Sequence, residues 1–195
     1  MPRRVNNFMA GHYYHIYNRG AGRELIFFNP ANYIYCLKLV KKHYRNYSIS
    51  VIAYCLMPNH YHFLLRQDGD IPLSKFVGVL FNAYVQAVNR QRGRTGTLFE
   101  DRFKHIRIDK ETYLLQLCRY IHANPVNAGL AANPDEWPYS NYREWVKTRE
   151  GSLVDDDFLD IYFLERSAYK KYVLEYVLGN ERLPEGLGDY LLEEQ

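Results

Sequence analysis

Residues 48–57 and 60–66 are both rich in β-branched and aromatic side chains, and only Pro58 and Asn59 separate them. A gap of two residues cannot house the crossover that parallel strands need, so the two runs must pair antiparallel as a hairpin. The rest of the chain arranges itself around that constraint. Upstream, His12-Tyr-Tyr-His-Ile-Tyr-Asn-Arg19 is an aromatic run closed by Gly20 and Gly22, which reads as a strand and a turn. Between it and the hairpin, Tyr33, Ile34, Cys36, Leu37 and Val40 recur at helical spacing within residues 30–46. After the hairpin, Pro72 opens a helix with Leu73, Phe76, Val77, Leu80, Tyr84, Val85 and Val88 on its apolar stripe, ending near Arg92-Gly93. A fourth strand is expected over 103–108. Asp109 is positioned to cap a third helix that runs to about Asn124, where Pro125 is expected to stop it.

The order β-α-β-β-α-β-α predicts an α+β chain on the ferredoxin-like, split βαβ plan, with an antiparallel sheet and one additional helix. Beyond Gly129 follow the aromatic segment 137–145 and an amphipathic helix expected over 160–178. The sequence therefore divides into a main domain, residues 1–148, and a helical C-terminal extension, residues 149–195. Charge divides at nearly the same place. Residues 150–195 hold 12 acidic and 4 basic side chains, a net −8, which leaves residues 1–149 with 21 basic and 10 acidic, a net +11. A basic body points to a polyanionic partner, because Lys and Arg release condensed counterions from phosphates. The acidic extension is either a solvated helical face or a restraint on non-specific binding.

Nothing in the chain is apolar enough over about 20 residues to span a bilayer, and Met1-Pro-Arg-Arg4 lacks the apolar stretch of a secretory signal. Cys36, Cys55 and Cys118 fall in apolar settings without paired-ligand spacing, as free buried thiols do in a reducing compartment. The expectation is a cytoplasmic protein with no membrane association. The 19 tyrosines serve as sheet aromatics or as stacking platforms for unpaired bases, and composition does not separate the two.

Two short segments carry candidate chemistry. In Met57-Pro-Asn-His60-Tyr-His62-Phe-Leu-Leu65, strand alternation places His60 and His62 on one face and Tyr61 on the other. Two imidazoles so placed can share one divalent ion, although two ordinary sheet histidines would show the same spacing. In Arg119-Tyr120-Ile-His-Ala-Asn124-Pro125, Tyr120 and Asn124 are four apart and share a helix face. An amide oxygen is a hard ligand that can complete a coordination sphere. A phenol beside the ion could attack a phosphodiester and form a phosphotyrosine. The alternative is a packing tyrosine followed by a helix-terminating asparagine.

These two segments, together with Gly93-Arg-Thr-Gly-Thr-Leu-Phe-Glu-Asp-Arg-Phe-Lys104, the continuation of the second to Leu130, and Trp137-Pro-Tyr-Ser-Asn-Tyr-Arg143, resemble the single-tyrosine HUH transposases. The branch they resemble most is the REP-associated tyrosine transposases, over about residues 10–145. That resemblance implies the ferredoxin-like fold, His60 and His62 as metal ligands, Asn124 as third ligand, Tyr120 as nucleophile, and Mg²⁺ or Mn²⁺ as cofactor. It further implies cutting and rejoining of single-stranded DNA at hairpin-forming palindromic repeats through a 5′-phosphotyrosine, by a monomer or homodimer. Phe99 stands where Trp is common in the family, and Asn127 where Arg is common.

Arg90, Arg92, Arg94, Arg102, Lys104 and Arg107 cluster around the glycine-containing loop, opposed by Glu100 and Asp101, and read as a phosphate-contacting strip. Arg3 and Arg4 form a short basic arm that could enter a groove. Two other functions fit parts of the pattern. One is a replication or mobilisation initiator nickase. The other is a non-catalytic single-stranded nucleic-acid-binding module, which would need neither the metal nor Tyr120.

Overall fold

The structure is a computed structural model that describes residues 8–163 and 165–179. In chain order the elements are β1 (Tyr13–Arg19), α1 (Pro30–His43), β2 (Ile49–Leu56), β3 (His60–Gln67), α2 (Leu73–Arg92), β4 (Lys104–Ile108), α3 (Glu111–Asn127), α4 (Tyr142–Trp145), α5 (Asp156–Tyr162) and α6 (Arg166–Val177). The hairpin is tight: the Met57 N–H donates to the His60 carbonyl at 2.9 Å across Pro58-Asn59. Every strand pair is antiparallel, and the sheet order is β2-β3-β1-β4, as the split βαβ plan requires.

Strand alternation feeds two cores. Tyr61, Phe63 and Leu65 of β3, with Tyr14 and Ile16 of β1, pack beneath α1 and α2 against Cys36, Val40, Phe76, Leu80 and Tyr84. On the other face, Leu64, Ala53 and Cys55 meet Leu114, Leu117 and Ile121 of α3, and then Trp145, Phe158, Tyr169 and Val173. Helices α5 and α6 thus share a core with α3. Both sheet faces are covered, so any polar side chain placed on them must find partners inside the protein.

Four details depart from the sequence expectations. Helix α1 ends at His43, and a 3-10 turn, Tyr44–Tyr47, leads to Ser48 in the left-handed region at φ 51°. Pro125 lies within α3, which continues to Asn127. Proline in a last turn forfeits only its own N–H bond, and the turn is closed by Ala128 N–H to Asn124 O at 3.0 Å and Leu130 N–H to Pro125 O at 2.8 Å. Lys110, not Asp109, occupies the α3 N-cap position, because the Asp109 carboxylate is held by Arg107 at 2.7 Å. The C-terminal helix is two helices, α5 and α6.

A β-bulge between Val51 and Ala53 leaves Ile52 without a ladder partner and turns both Ile52 and Ala53 toward the α3 core. The freed Ile52 carbonyl accepts from Asn141 Nδ2 at 2.9 Å and from the Trp145 indole at 3.0 Å. Asn141 Oδ1 in turn accepts from the Tyr54 N–H at 2.8 Å and from His122 Nε2 at 2.9 Å. The other nitrogen of His122 accepts from the Tyr169 hydroxyl at 2.5 Å. Full burial pushes the His122 imidazole down to about 4, so the ring is neutral, with one N–H to give and one lone pair to receive. This network ties the sheet, α3 and α6 together. Asn141→Ala would strand the Tyr54 N–H and the His122 N–H in a dry core. Each such loss costs about 1–3 kcal/mol, so a drop of about 3 kcal/mol or more is expected in urea unfolding; a loss under about 1 kcal/mol would contradict the network's importance.

Candidate active site

The hairpin turn delivers His60 to one end of the sheet, where several segments meet. The Pro58 carbonyl accepts from the Ile26 and Phe27 N–H groups at 2.8 and 3.0 Å, and the Gly20 N–H donates to Asn59 O at 2.8 Å. Glycine is required at position 20, where a Cβ would lie 2.0 Å from the Glu24 carbonyl oxygen. These bonds fix the turn, and the β3 pleat then sets His60, His62 and Leu64 on the α3 face. Register places Arg19 opposite His60 and Tyr17 opposite His62.

Helix α3 crosses this face and brings Asn124 to His60, with Asn124 Oδ1 3.1 Å from His60 Nε2. Tyr120, one turn earlier, lies edge-on to His62 with ring centroids 5.5 Å apart. The His60 and His62 rings are 5.1 Å apart and nearly perpendicular. The four residues singled out from sequence are therefore brought to one place. Three of them, His62, Asn124 and Tyr120, are buried, and His60 is half-buried at the rim. The sharing of a helix face by Tyr120 and Asn124 follows from their spacing; the meeting of that face with His60 required the fold.

The bonding of the imidazoles bears on what this place can hold. Burial pushes the His60 and His62 rings below the ordinary histidine range, most strongly for His62, where the neighbouring His60 and His15 add to the effect. Both are neutral, as metal ligands must be. Neutral His60 carries one N–H but faces two oxygens, Asn59 Oδ1 at 2.7 Å and Asn124 Oδ1 at 3.1 Å. With the proton directed to Asn59, the Nε2 lone pair confronts the lone pairs of Asn124 Oδ1, a contact that a cation between them would relieve. His62 Nε2 is buried with no hydrogen-bond partner, as is Asn124 Nδ2. Burying such atoms unpaired is unfavourable.

These observations fit a hard divalent ion held by His60 Nε2, His62 Nε2 and Asn124 Oδ1. Among the described residues no three His, Cys, Asp or Glu side chains converge as a metal cage; this candidate set is two imidazoles and an amide.

One neighbour escaped sequence reasoning, Asn59, which holds His60 as described. The sequence leaves His15 on the first strand either approaching the site or, as the favoured reading, structural, and its Nε2 lies 2.9 Å from His62 Nδ1. Strand alternation puts His15 on the same face as Tyr17, but only the β1–β3 register reveals that this face is the one bearing His62.

The basic residues divide by position. The loop after α2 returns to the same sheet end as His60, since the Ala21 N–H donates to Leu98 O at 3.1 Å and Gly20 bridges Phe99. Arg90, Arg92, Arg102 and Lys104 are exposed and Arg94 is half-buried. The Arg92 guanidinium lies over the Phe28 ring at 4.2 Å, and Arg94 donates to Thr97 O at 3.2 Å. Arg107 sits toward the opposite end of β4, opposite Tyr14, and is paired with Asp109. Glu100 is engaged by Arg19, which removes much of its opposition to the basic loop. Arg3 and Arg4 lie outside the described residues. No helix among the described residues is long and apolar enough to cross a membrane.

Comparison with known proteins places the chain in a family. A REP-associated tyrosine transposase of Haemophilus influenzae (strain ATCC 51907 / DSM 11121 / KW20 / Rd), itself named as putative, is 29% identical over 114 residues, which cover 52% of this chain and 64% of the relative. The chain thus matches somewhat under two thirds of that relative's length. Among solved structures, a REP-associated tyrosine transposase bound to a REP hairpin superposes with a TM-score of 0.64 at 18% identity, covering 80% of this chain and 94% of the other; the likeness is one of fold. The sequence profile described as "Transposase IS200 like" matches residues 8–124. That span exceeds half of the chain and contains the hairpin, the basic loop, Tyr120 and Asn124, and the chain belongs to the IS200-like transposase family.

Proposed function

We propose that this protein is a metal-dependent single-stranded DNA endonuclease and strand transferase acting on hairpin-forming repeats, with Tyr120 as nucleophile. The observation that carries the reading is the contact of His60 Nε2 with Asn124 Oδ1 next to the ring of His62, whose Nε2 is buried without a hydrogen-bond partner, beside the Tyr120 ring. A packing tyrosine and two sheet histidines would not leave such a ring nitrogen unpaired in a dry place.

Mg²⁺ or Mn²⁺ held by His60, His62 and Asn124 would polarise the scissile phosphate and draw charge from it. The chain's own contributions are positional. The turn at Pro58-Asn59 fixes His60, the β3 pleat fixes His62, and α3 carries Tyr120 and Asn124 as one rigid unit. Tyr120 Oη would attack phosphorus and form the phosphotyrosine bond while the bond to the 3′-oxygen breaks. The tyrosine proton passes to solvent and the 3′-oxygen leaves as a hydroxyl. The reverse attack by a second 3′-hydroxyl releases Tyr120 and joins the strands, so no bond energy is lost between the two steps. The Tyr120 hydroxyl is buried in the described state, so substrate engagement must open a path to it.

Arg90, Arg92, Arg94, Arg102 and Lys104 border this sheet end and suit phosphates approaching it. A cavity of about 350 Å³ beside Arg92 and Arg94, walled by Leu25, Phe28 and Leu98, offers an apolar surface for an unpaired base next to guanidinium groups. The hairpin ligand of the similar solved structure is consistent with a folded DNA substrate.

Two outcomes are expected. Incubation with labelled single-stranded hairpin oligonucleotides and Mn²⁺, followed by a denaturing protein gel, should give a covalent labelled band. The band should vanish with EDTA and in Tyr120→Phe while hairpin binding survives. Binding by the wild-type chain without adduct or cleavage, across several hairpins and both metals, would favour the non-catalytic binding module. Separately, replacing Arg94, Arg102 and Lys104 with alanine should flatten the dependence of log affinity on log salt by about 2, at about 0.7 per single-strand phosphate contact. An unchanged slope would remove this loop from the DNA path.

A further inference from the structure

His15 and His62 are both fully buried. Their ring planes lie within 18° of parallel, with His15 Nε2 2.9 Å from His62 Nδ1. Two neutral imidazoles meet this way only if one nitrogen carries the proton and the other does not. A coordinating His62 Nε2 must present its lone pair, which puts the His62 proton on Nδ1 and makes His15 Nε2 the acceptor. The opposite arrangement would put the proton on His62 Nε2, the buried atom without a hydrogen-bond partner, and a protonated ring nitrogen has no lone pair to offer a cation.

From this geometry we infer that His15 is a positioning residue for the metal site: its Nε2 accepts the His62 Nδ1 proton and so fixes the tautomer and ring orientation in which His62 Nε2 faces the ion. The inference rests on the metal reading under Proposed function and extends it to a residue on another strand. The bond runs diagonally across the β1–β3 ladder, since His15 stands opposite Leu64 and Tyr17 opposite His62. Tyr17 stacks on the His15 ring at 4.7 Å between centroids and 27° between planes, which holds His15 flat against its partner. Metal-ligating histidines commonly owe their tautomer and basicity to such an acceptor, and its loss costs about 10–100-fold in metal affinity.

A residue there merely to fill space would behave differently. Leucine at position 15 keeps an apolar side chain but offers no acceptor. Glutamine places an amide oxygen near the position of Nε2, whereas asparagine is one methylene too short to reach. The experiment uses the full chain without DNA. Mn²⁺ affinity is read from the loss of the free-ion electron paramagnetic resonance signal, with His60→Ala as the control for site binding. The wild-type chain should bind Mn²⁺ in a His60-dependent manner. His15→Leu and His15→Asn should each bind about 10–100-fold more weakly, and His15→Gln should recover most of the affinity. In the metal-free protein, long-range ¹H–¹⁵N spectra of the histidine rings should show His62 as the Nδ1–H tautomer in wild type and His15→Gln. The preference should be lost in His15→Asn.

Wild-type affinity in folded His15→Leu or His15→Asn would overturn the inference and leave the metal reading standing. So would His15→Gln binding as weakly as the other two, because ring volume rather than the acceptor would then matter. A wild-type chain with no His60-dependent Mn²⁺ binding would overturn the metal reading and this inference together. The asparagine and glutamine variants keep the test decisive should the leucine chain fail to fold.

Discussion

The pleat of β3 makes one strand serve two interiors, and the rest of the molecule follows from that division. Tyr61, Phe63 and Leu65 leave on one side into an aromatic and aliphatic core under α1 and α2, while His60, His62 and Leu64 leave on the other toward α3. Because both faces are covered, His62 is fully buried where water cannot satisfy it, and His60 is half-buried at the rim. Each ring nitrogen has to be accounted for by a neighbour: Asn59 and Asn124 for His60, His15 for one nitrogen of His62. The nitrogen left over, His62 Nε2, is conspicuous for that reason. On a solvated sheet face the same atom would carry no information.

The placement of α3 depends on a second imbalance, this time in the backbone. A bulge at Ile52 frees a carbonyl that the ladder cannot use, and Asn141 and Trp145 from beyond α3 supply the missing donors. Asn141 then passes the connection on to His122, which sits two residues after Tyr120, and His122 to Tyr169 of α6. Arg119, on the other side of Tyr120, is fully buried with its guanidinium over the rings of Tyr172 and Tyr176. The helix bearing the candidate nucleophile is thus gripped on both sides of that residue by groups from α6. A neutral chain of hydrogen bonds and a cation over aromatic faces avoid the desolvation cost of a carboxylate pair in the same core.

Much of this was legible without coordinates, and the parts that were not share a cause. The hairpin, the facing of His60 and His62, and the shared face of Tyr120 and Asn124 depend on periods of 2 and 3.6 within one element. The element order gives the split βαβ plan, and the resemblance to the family rests on the motifs around His60–His62, Gly93–Lys104 and Arg119–Leu130. What could not be read depends on register between distant segments. The pairing of His15 with His62 needs the β1–β3 alignment, and the bulge at Ile52 needs to know which residue of β3 lies opposite. Pro125 misled locally because a proline signals a stop from within the chain, while helix continuation was decided by the carbonyls of Asn124 and Pro125 finding donors at Ala128 and Leu130. Arg107 was grouped with the basic loop by sequence proximity, yet β4 carries it toward the other end and Asp109 pairs with it.

The charge asymmetry takes on a different meaning once the packing is considered. Residues after 150 carry a strong negative excess, yet the described part of that segment presents Phe158, Leu159, Tyr169 and Val173 to the α3 core. Two of its acids, Asp156 and Asp160, turn outward instead and flank Arg166 at the surface. The apolar stripe is what holds this segment to the domain. Among the described residues Asp156, Asp157, Asp160 and Glu165 then lie exposed on α5 and at the start of α6, while the basic loop of residues 90–104 gathers at the sheet end near His60. Burial of the stripe therefore fixes where these acids stand.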